Sequence, residues 1–336
     1  MLCSISVGFR RTGRSCNVRT FIRAPLPALV PKGIPMTTRR STDLLLTALA
    51  PAIWGTTYLV TTNWLPAGYP LTVATLRALP AGMLLWLLGR QLPSRSWWLR
   101  LLVLGALNFS FFWAMLFVSA YRLPGGVAAT LGAIQPLIVI ALSRVLLGSA
   151  IRVGAVAAAL AGLAGVALLV LTPKATLDAV GVAAGLAGAV SMALGTVLTR
   201  RWQPPVPALT FTAWQLTAGG ILLVPFALWL EPPLPTPTLA NALGMAWLTV
   251  IGAALTYVLW FRGIARLGPG AVATLGFLSP LTAVLIGWIV LGQTLSTAQI
   301  AGMVLVLGGV WLSQRAQRSV AAPGPGSAGS SDRARA

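Results

Sequence analysis

The sequence predicts an all-α membrane protein whose ten transmembrane helices form two inverted-topology five-helix repeats. The prediction rests on composition, on ten apolar segments and on a stretch that occurs twice. Of the 336 residues, 57% are hydrophobic and only 8% are charged, whereas ordinary soluble domains carry about 25% charged residues. A soluble core does not need this much apolar surface, so the chain is a polytopic membrane protein.

Each apolar segment is close to the roughly 20 residues that a helix needs to cross the hydrocarbon core. Short connections rich in proline and glycine separate the segments. The predicted spans are residues 43–62, 70–89, 99–119, 124–143, 153–171, 179–198, 208–230, 239–260, 270–290 and 297–313. The predicted domains are a basic tail (1–42), two five-span repeats (43–172 and 179–315) and a disordered tail (316–336).

Residues 123–148 recur as residues 267–292 at a constant spacing of 144 residues. In both copies a proline follows a glycine by four positions, as Gly132 and Pro136 and as Gly276 and Pro280. Proline has no N–H and clashes with the carbonyl four residues earlier, so each helix should kink and free a glycine carbonyl. In hydrocarbon such a carbonyl is tolerated only against protein or a wet cavity. Packing kinks and cavity-lining kinks both fit, and we predict cavity-lining kinks.

Weaker matches relate the earlier helices of the two halves. At a spacing of 138 residues Gly82 matches Gly220, and Arg77 then pairs with Gln215. In the first span of each half, Gly55-Thr56 matches Gly195-Thr196. The whole membrane region is therefore predicted to be duplicated.

The net charge of +20 is distributed unevenly along the chain. With a cytoplasmic N-terminus, twenty-one of the 24 Lys and Arg residues fall on the cytoplasmic side, and Arg122 and Lys174 fall outside. This split follows the positive-inside rule. Five spans per half is an odd number, so the second half enters from the opposite side and both termini are cytoplasmic.

Several classes of site are excluded by residue content. The chain has no histidine, and its two cysteines, Cys3 and Cys16, precede the first span, so neither a disulfide framework nor a His/Cys metal site is expected. No cofactor and no nucleic-acid partner is predicted, since no binding motif accompanies the basic charge. Residues 1–35 fit a transit peptide, a disordered tail or an extension upstream of a start at Met36, and we favour the extension.

The residues Trp54-Gly55-Thr56-Thr57, Pro70 followed by Arg77, and the repeated Gly…Ala-Thr-Leu…Pro…Leu-Gly unit carry a family resemblance. Over residues 43–315 the chain resembles the EamA branch of the drug/metabolite transporter superfamily. The resemblance implies movement of small metabolites or drugs across the cytoplasmic membrane, usually outward. Family members often carry a glutamate after the Leu-Gly that closes the fourth and ninth spans, where this chain has Ser149 and Gln293.

Arg77 is the most informative candidate site residue, because it lies about 10 Å into the second span at 1.5 Å per residue. An ionisable group inside the membrane is costly and marks a functional site by default. Binding of a substrate carboxylate, stacking on an aromatic ring and snorkelling to the interface all fit Arg77. The other predicted substrate-binding residues are polar or aromatic and lie within spans: Trp54, Thr57, Tyr58, Trp113, Gln135, Gln215, Tyr257, Trp260 and Ser279.

We predict an alternating-access carrier that exports amino-acid-like metabolites or drugs, with a small-molecule substrate and the lipid bilayer as partners and a homodimer left open. An antiporter of phosphorylated or nucleotide-linked sugars is the alternative within transport, although it would favour several basic groups in the cavity. A membrane protein without transport activity is the alternative of another class. Asp43, Asp178 and Glu231 stand at span ends, so no proton-carrying carboxylate is expected inside the membrane.

The topology is testable with reporter fusions at Glu231 and Arg262. Because these residues fall on opposite sides of the predicted membrane, a periplasm-active reporter should be active at Glu231 and silent at Arg262. Equal activity at both positions would refute the ten-span count.

Overall fold

The fold comes from a computed structural model of the protein, which describes residues 36–123, 125–171 and 178–318. The chain divides into the units Met1–Arg39 and Arg40–Ala336, and the second contains the membrane region. The predictions for residues 1–35 lie outside the described residues. Most of the predicted disordered tail does too, but the last helix continues to Arg318, beyond its predicted end at 313.

Within the described residues, ten helices are long and apolar enough to cross a membrane, which confirms the predicted fold class. We number them as spans 1 to 10. In chain order they are Arg40–Thr61, Pro70–Gly89, Arg95–Ser119, Val127–Leu147, Val153–Val170, Ala179–Arg201, Ala208–Leu230, Leu239–Leu267, Pro269–Leu291 and Thr297–Gln317.

Five spans are interrupted, and four of the interruptions form two matched pairs. Span 1 divides at Gly55 into Met36–Trp54 and Thr56–Trp64. The third span of each half contains a π-helix, Ala106–Ser110 in span 3 and Trp247–Leu255 in span 8. The fourth span of each half breaks just before its proline, giving Gly125–Gly132 and Gln135–Leu147 in span 4 and Pro269–Leu275 and Leu278–Leu291 in span 9. Both fourth spans are therefore interrupted between the paired glycine and proline, but the Gly276 carbonyl is not free, because it accepts from the Ser279 N–H at 3.1 Å.

The Leu-Gly that closes both copies of the repeated stretch is a helix stop. Gly148 and Gly292 adopt left-handed conformations, with φ of 68° and 65°. This region favours glycine, which has no Cβ to clash. The N–H groups of Ser149 and Gln293 each donate to a carbonyl of the preceding turn at 3.1 Å. The two positions that depart from the family's usual glutamate thus still complete the same cap.

Spans 2 and 7 cross at backbone contact. A Cβ added to Gly82 would lie 2.6 Å from the Thr217 nitrogen, and one added to Gly220 would lie 2.8 Å from the Leu79 nitrogen. At the 138-residue spacing Gly82 corresponds to Gly220 and Leu79 to Thr217. The two contacts are therefore one contact repeated by the inverted symmetry, and only glycine permits it.

Spans 5 and 10 cross in the same manner. A Cβ on Gly309 would lie 2.9 Å from the Ala158 oxygen, and one on Gly302 would lie 2.7 Å from the Gly165 oxygen. At the 144-residue spacing Ala158 corresponds to Gly302 and Gly165 to Gly309. Spans 2 and 7, like spans 5 and 10, are therefore equivalent helices that contact each other at equivalent residues.

Contacts between span ends show which loops share a face. Arg201 donates to the Leu146 oxygen at 2.7 Å and Arg152 to the Ala316 oxygen at 2.9 Å. We call this the basic face, where spans 4 and 6 end, span 5 begins and span 10 ends. At the opposite face Glu231, after span 7, meets the start of span 2. These groupings agree with the inverted arrangement of the two halves.

The crossing of spans 2 and 7 predicts a stability difference between two glycine variants. Gly82→Ala should destabilise the folded protein by about 1–3 kcal/mol, because the added methyl group meets the Thr217 backbone. Gly132→Ala is the matched control, since a Cβ there meets nothing within 4 Å. Unfolding of both variants in detergent should separate them, and equal stability would contradict the close crossing.

Candidate functional site

Among the described residues, Arg77 is the charged side chain that lies deepest within a span, seven residues from Pro70. Its Nη2 donates a hydrogen bond of 2.6 Å to the carbonyl oxygen of Gly252. Gly252 belongs to the π-helix of span 8, and such segments displace carbonyls from the regular helical ladder. Arg77 therefore joins span 2 of the first half to span 8 of the second.

The Arg77 guanidinium also lies over an aromatic ring and keeps a free donor. Its Cζ is 5.4 Å from the centroid of Trp113, within the range of a cation–π contact. The residue is half-buried, and its Nε is buried without a hydrogen-bond partner among the described residues. An unmet buried donor costs free energy, so this N–H requires an acceptor that the described residues do not supply.

An aromatic cluster packs beside Arg77; its rings are Trp54, Phe109, Trp113, Tyr257, Trp260 and Phe261. The Tyr257 ring lies 5.0 Å from Trp54 and 4.7 Å from Phe109. Trp54 Nε1 donates to Thr256 Oγ1 at 2.9 Å, and that hydroxyl donates to the Gly252 oxygen at 2.8 Å. Trp54 and Arg77 are thus both anchored at one carbonyl, beside a cluster of mostly buried aromatic rings.

The inverted symmetry repeats this polar contact in a neutral form. Asn108 Nδ2 donates to Gln215 Oε1 at 2.9 Å, and Asn108 lies in the π-helix of span 3. Gln215 corresponds to Arg77 at the 138-residue spacing, and Gly252 corresponds to Asn108 at the 144-residue spacing. Both side chains of the neutral pair are fully buried.

Trp113 and Tyr257 are also equivalent at the 144-residue spacing. Their ring centroids lie 6.4 Å apart in an edge-to-face arrangement. The two third spans therefore meet through matching aromatic residues beside Arg77. Trp260, next to Trp54, is almost wholly buried, and its Nε1 has no partner in the described residues.

The structure connects Thr57, Gln135 and Ser279 to Arg77 by no hydrogen bond within the described residues. Thr57 Oγ1 and Gln135 Nε2 are buried and lack hydrogen-bond partners there. The backbone carbonyl oxygen of Ser279 would lie 2.7 Å from a Cβ on Gly55, so spans 1 and 9 touch at that point. The side chain of Tyr58 lies outside what the structure describes.

The four kink residues differ in their surroundings. Gly132 is exposed, Pro136 is buried, and Gly276 and Pro280 are partly buried. A Cβ on Gly132 would meet open space. The glycine in tight contact in this region is Gly55, which sequence reasoning treated only as part of a motif.

The three acids in the described part of the chain hold structural positions. Asp43 accepts from Arg262 at 2.5 Å and from Arg266 at 3.1 Å. Glu231 accepts from the N–H groups of Leu71 and Thr72 at 2.6 and 2.7 Å, which caps the start of span 2.

Asp178 is the third of these acids. It caps span 6 through the Gly181 N–H at 2.7 Å and lies 3.7 Å from Arg122. None of the three carboxylates extends toward Arg77 in the described residues, so the site carries a single formal charge.

Comparison with known proteins identifies relatives over most of the chain. Residues 42–171 and 179–314 each match the EamA-like transporter family. Protein PecM of Dickeya dadantii (strain 3937) is 47% identical over 267 residues, which are 79% of this chain and 90% of PecM. The uncharacterized inner membrane transporter YedA of Escherichia coli (strain K12) is 29% identical over 249 residues, or 73% of this chain and 81% of YedA.

A solved crystal structure shares the fold at a TM-score of 0.70. The match covers 82% of this chain and 99% of the other, at 22% sequence identity. The two chains therefore have the same overall arrangement of helices.

Proposed function

The chain belongs to the EamA-like transporter family, and from this premise we propose that it exports small organic acids by alternating access. It is a multi-span membrane transporter for small molecules, as its relatives are. The proposal adds the direction, the mechanism and the residues that bind the substrate. It also places the two five-span repeats at residues 43–172 and 179–315.

The main support for this proposal is the Arg77 Nε–H, which has no acceptor among the described residues. Arg77 lies between the two halves, bonded to span 8 and stacked on span 3. Substrate sites of inverted-repeat transporters lie near the midplane at the repeat interface. A carboxylate that approaches the buried Nε would satisfy it and neutralise the guanidinium, since arginine recognises carboxylates through its planar fork.

The aromatic cluster supports a substrate with a planar apolar body. Trp54, Trp113 and Tyr257 meet within ring-contact distance beside the guanidinium. Amino-acid-like metabolites and carboxylate-bearing drugs combine one acidic group with such a body. Phosphorylated or nucleotide-linked sugars carry more negative charge, which one arginine matches poorly, so we rank that alternative second.

The charge distribution supports the orientation. Twenty-one of the 24 basic residues fall on one side of the predicted topology, and the positive-inside rule places that side in the cytoplasm. We therefore place the protein in the cytoplasmic membrane with both termini inside. A substrate that reaches Arg77 from the basic face would leave toward the opposite face.

Arg77 variants test the substrate site. In inside-out vesicles, Arg77→Gln should raise the KM for a transported carboxylate at least about 30-fold, since losing one partner of a desolvated ion pair costs about 2–5 kcal/mol. Arg77→Lys should recover part of that loss, because it keeps the charge without the planar fork.

The matched control is Arg144→Gln, which removes an exposed charge at the basic face. A panel of aromatic amino acids, other organic acids and cationic drugs identifies the substrate. If Arg77→Gln transports every active acid with an unchanged KM, the proposed site is wrong.

The positions of the acids predict how transport is coupled. Asp43, Asp178 and Glu231 are held by arginines or helix N-termini, so none is placed to carry a proton through the membrane. In proteoliposomes at zero membrane potential, a pH gradient should not drive accumulation of a zwitterionic amino acid, which carries a carboxylate but no net charge. Proton-driven accumulation that disappears in Asp43→Asn, Asp178→Asn or Glu231→Gln would contradict this prediction.

A further inference from the structure

Two ion pairs, one at each face of the protein, occupy similar places in the two repeats. At the basic face Asp43 of span 1 lies 3.1 Å from Arg266 at the end of span 8. At the opposite face Asp178, just before span 6, lies 3.7 Å from Arg122 at the end of the helix of span 3. Arg122 and Arg266 correspond at the 144-residue spacing. Each pair therefore joins the start of the first span of one half to the end of the third span of the other.

The two pairs differ in strength. The Asp43 side chain is only 12% exposed and also meets Arg262 at 2.5 Å. The side chains of Arg122 and Asp178 are 50% and 41% exposed. Val118 occupies the position equivalent to Arg262, so this position supplies no second arginine to the pair at the opposite face. Because water weakens exposed ion pairs, the pair at the basic face is the tighter one.

The packing is also tighter beside the ion pair at the basic face than beside the ion pair at the opposite face. Toward the basic face, Val197 of span 6 and Val139 of span 4 are both fully buried in one apolar cluster. Their equivalents are Thr57 of span 1, at a spacing of 140 residues, and Ala283 of span 9, at 144. Thr57 and Ala283 are only partly buried. A groove of about 150 Å³ runs between spans 1 and 9 past Gly55 and Ala283.

We infer that these ion pairs are matched locks that set which face of the carrier is closed. Asp43 with Arg262 and Arg266 holds the basic face closed, and the structure has that face locked. Arg122 and Asp178, already 3.7 Å apart, form the weaker lock, which tightens when the opposite face closes and the Asp43 lock releases. The inference rests on the alternating access of the proposed function and names the residues that control it.

Two equivalent cysteine reporters read the two faces. In a protein with Cys3 and Cys16 replaced by serine, Val197→Cys reports access from the basic face and Thr57→Cys reports access from the opposite face. Both are labelled with a hydrophilic maleimide in the absence of substrate. Asp43→Asn should speed labelling of Val197→Cys by about tenfold, because it removes a buried ion-pair partner, and should slow labelling of Thr57→Cys.

The variant at the other lock should act in the reverse direction. Asp178→Asn should speed labelling of Thr57→Cys by about threefold and slow that of Val197→Cys, a smaller effect because its ion pair is exposed. Arg144→Gln, which removes an exposed charge at the basic face, should leave both rates unchanged. Exchanging the charges in Asp43→Arg with Arg262→Asp should restore protection of Val197→Cys.

If Asp43→Asn does not fold, Arg266→Gln replaces it. This variant retains the contact between Asp43 and Arg262 and should shift both reporters in the same direction by less. The inference is overturned if a folded lock variant labels both reporters at the parent rates, or if the charge exchange fails to restore protection. Because no substrate is present, loss of carboxylate binding at Arg77 would leave these rates unaffected, which separates this inference from the proposed site.

Discussion

The contact on which the rest of the structure depends is the crossing of spans 2 and 7 at Gly82 and Gly220. Inside a bilayer apolar side chains gain little from association, so helices pack through close backbone contact. Each glycine meets the backbone of the other span at an equivalent point, which places the two-fold axis between them. The glycines contact the backbone at Leu79 and Thr217. Arg77 lies two residues before Leu79, and Gln215 lies two residues before Thr217. The crossing therefore fixes the position of both polar contacts.

The two symmetric halves make different polar contacts at equivalent positions. Gln215 and Asn108 form a neutral, fully buried pair, whereas the charged, half-buried Arg77 donates to the buried carbonyl of Gly252. A guanidinium in low dielectric is costly, and the Gly252 carbonyl and the Trp113 ring offset only part of that cost. The cost that is not offset comes from the Arg77 Nε, which is buried without a hydrogen-bond partner among the described residues. The two halves are alike in fold, but only the first has a charged side chain at this contact.

The sequence predicted those features of the structure that produce a periodic pattern or an unusual residue type in the chain. Apolar length indicated ten spans, a constant spacing indicated the repeat, and Gly132 with Pro136 indicated a kink because proline removes a local hydrogen bond. Arg77 was visible as a charge within an apolar run. Its partner was not, because Gly252 contributes a backbone carbonyl from a π-helix, and an apolar segment gives no compositional sign of one. The locking role that we propose for Asp43 likewise depends on which span ends meet in three dimensions.

The arrangement of charge also accounts for coupling without a proton-carrying acid. The free donor of Arg77 is buried without a partner among the described residues. A cation left unmatched in an empty site is costly in low dielectric. A bound carboxylate supplies the missing partner and lowers that cost. The loaded carrier should then change its open face more readily than the empty one, so the charge of the substrate itself would link binding to the change of access.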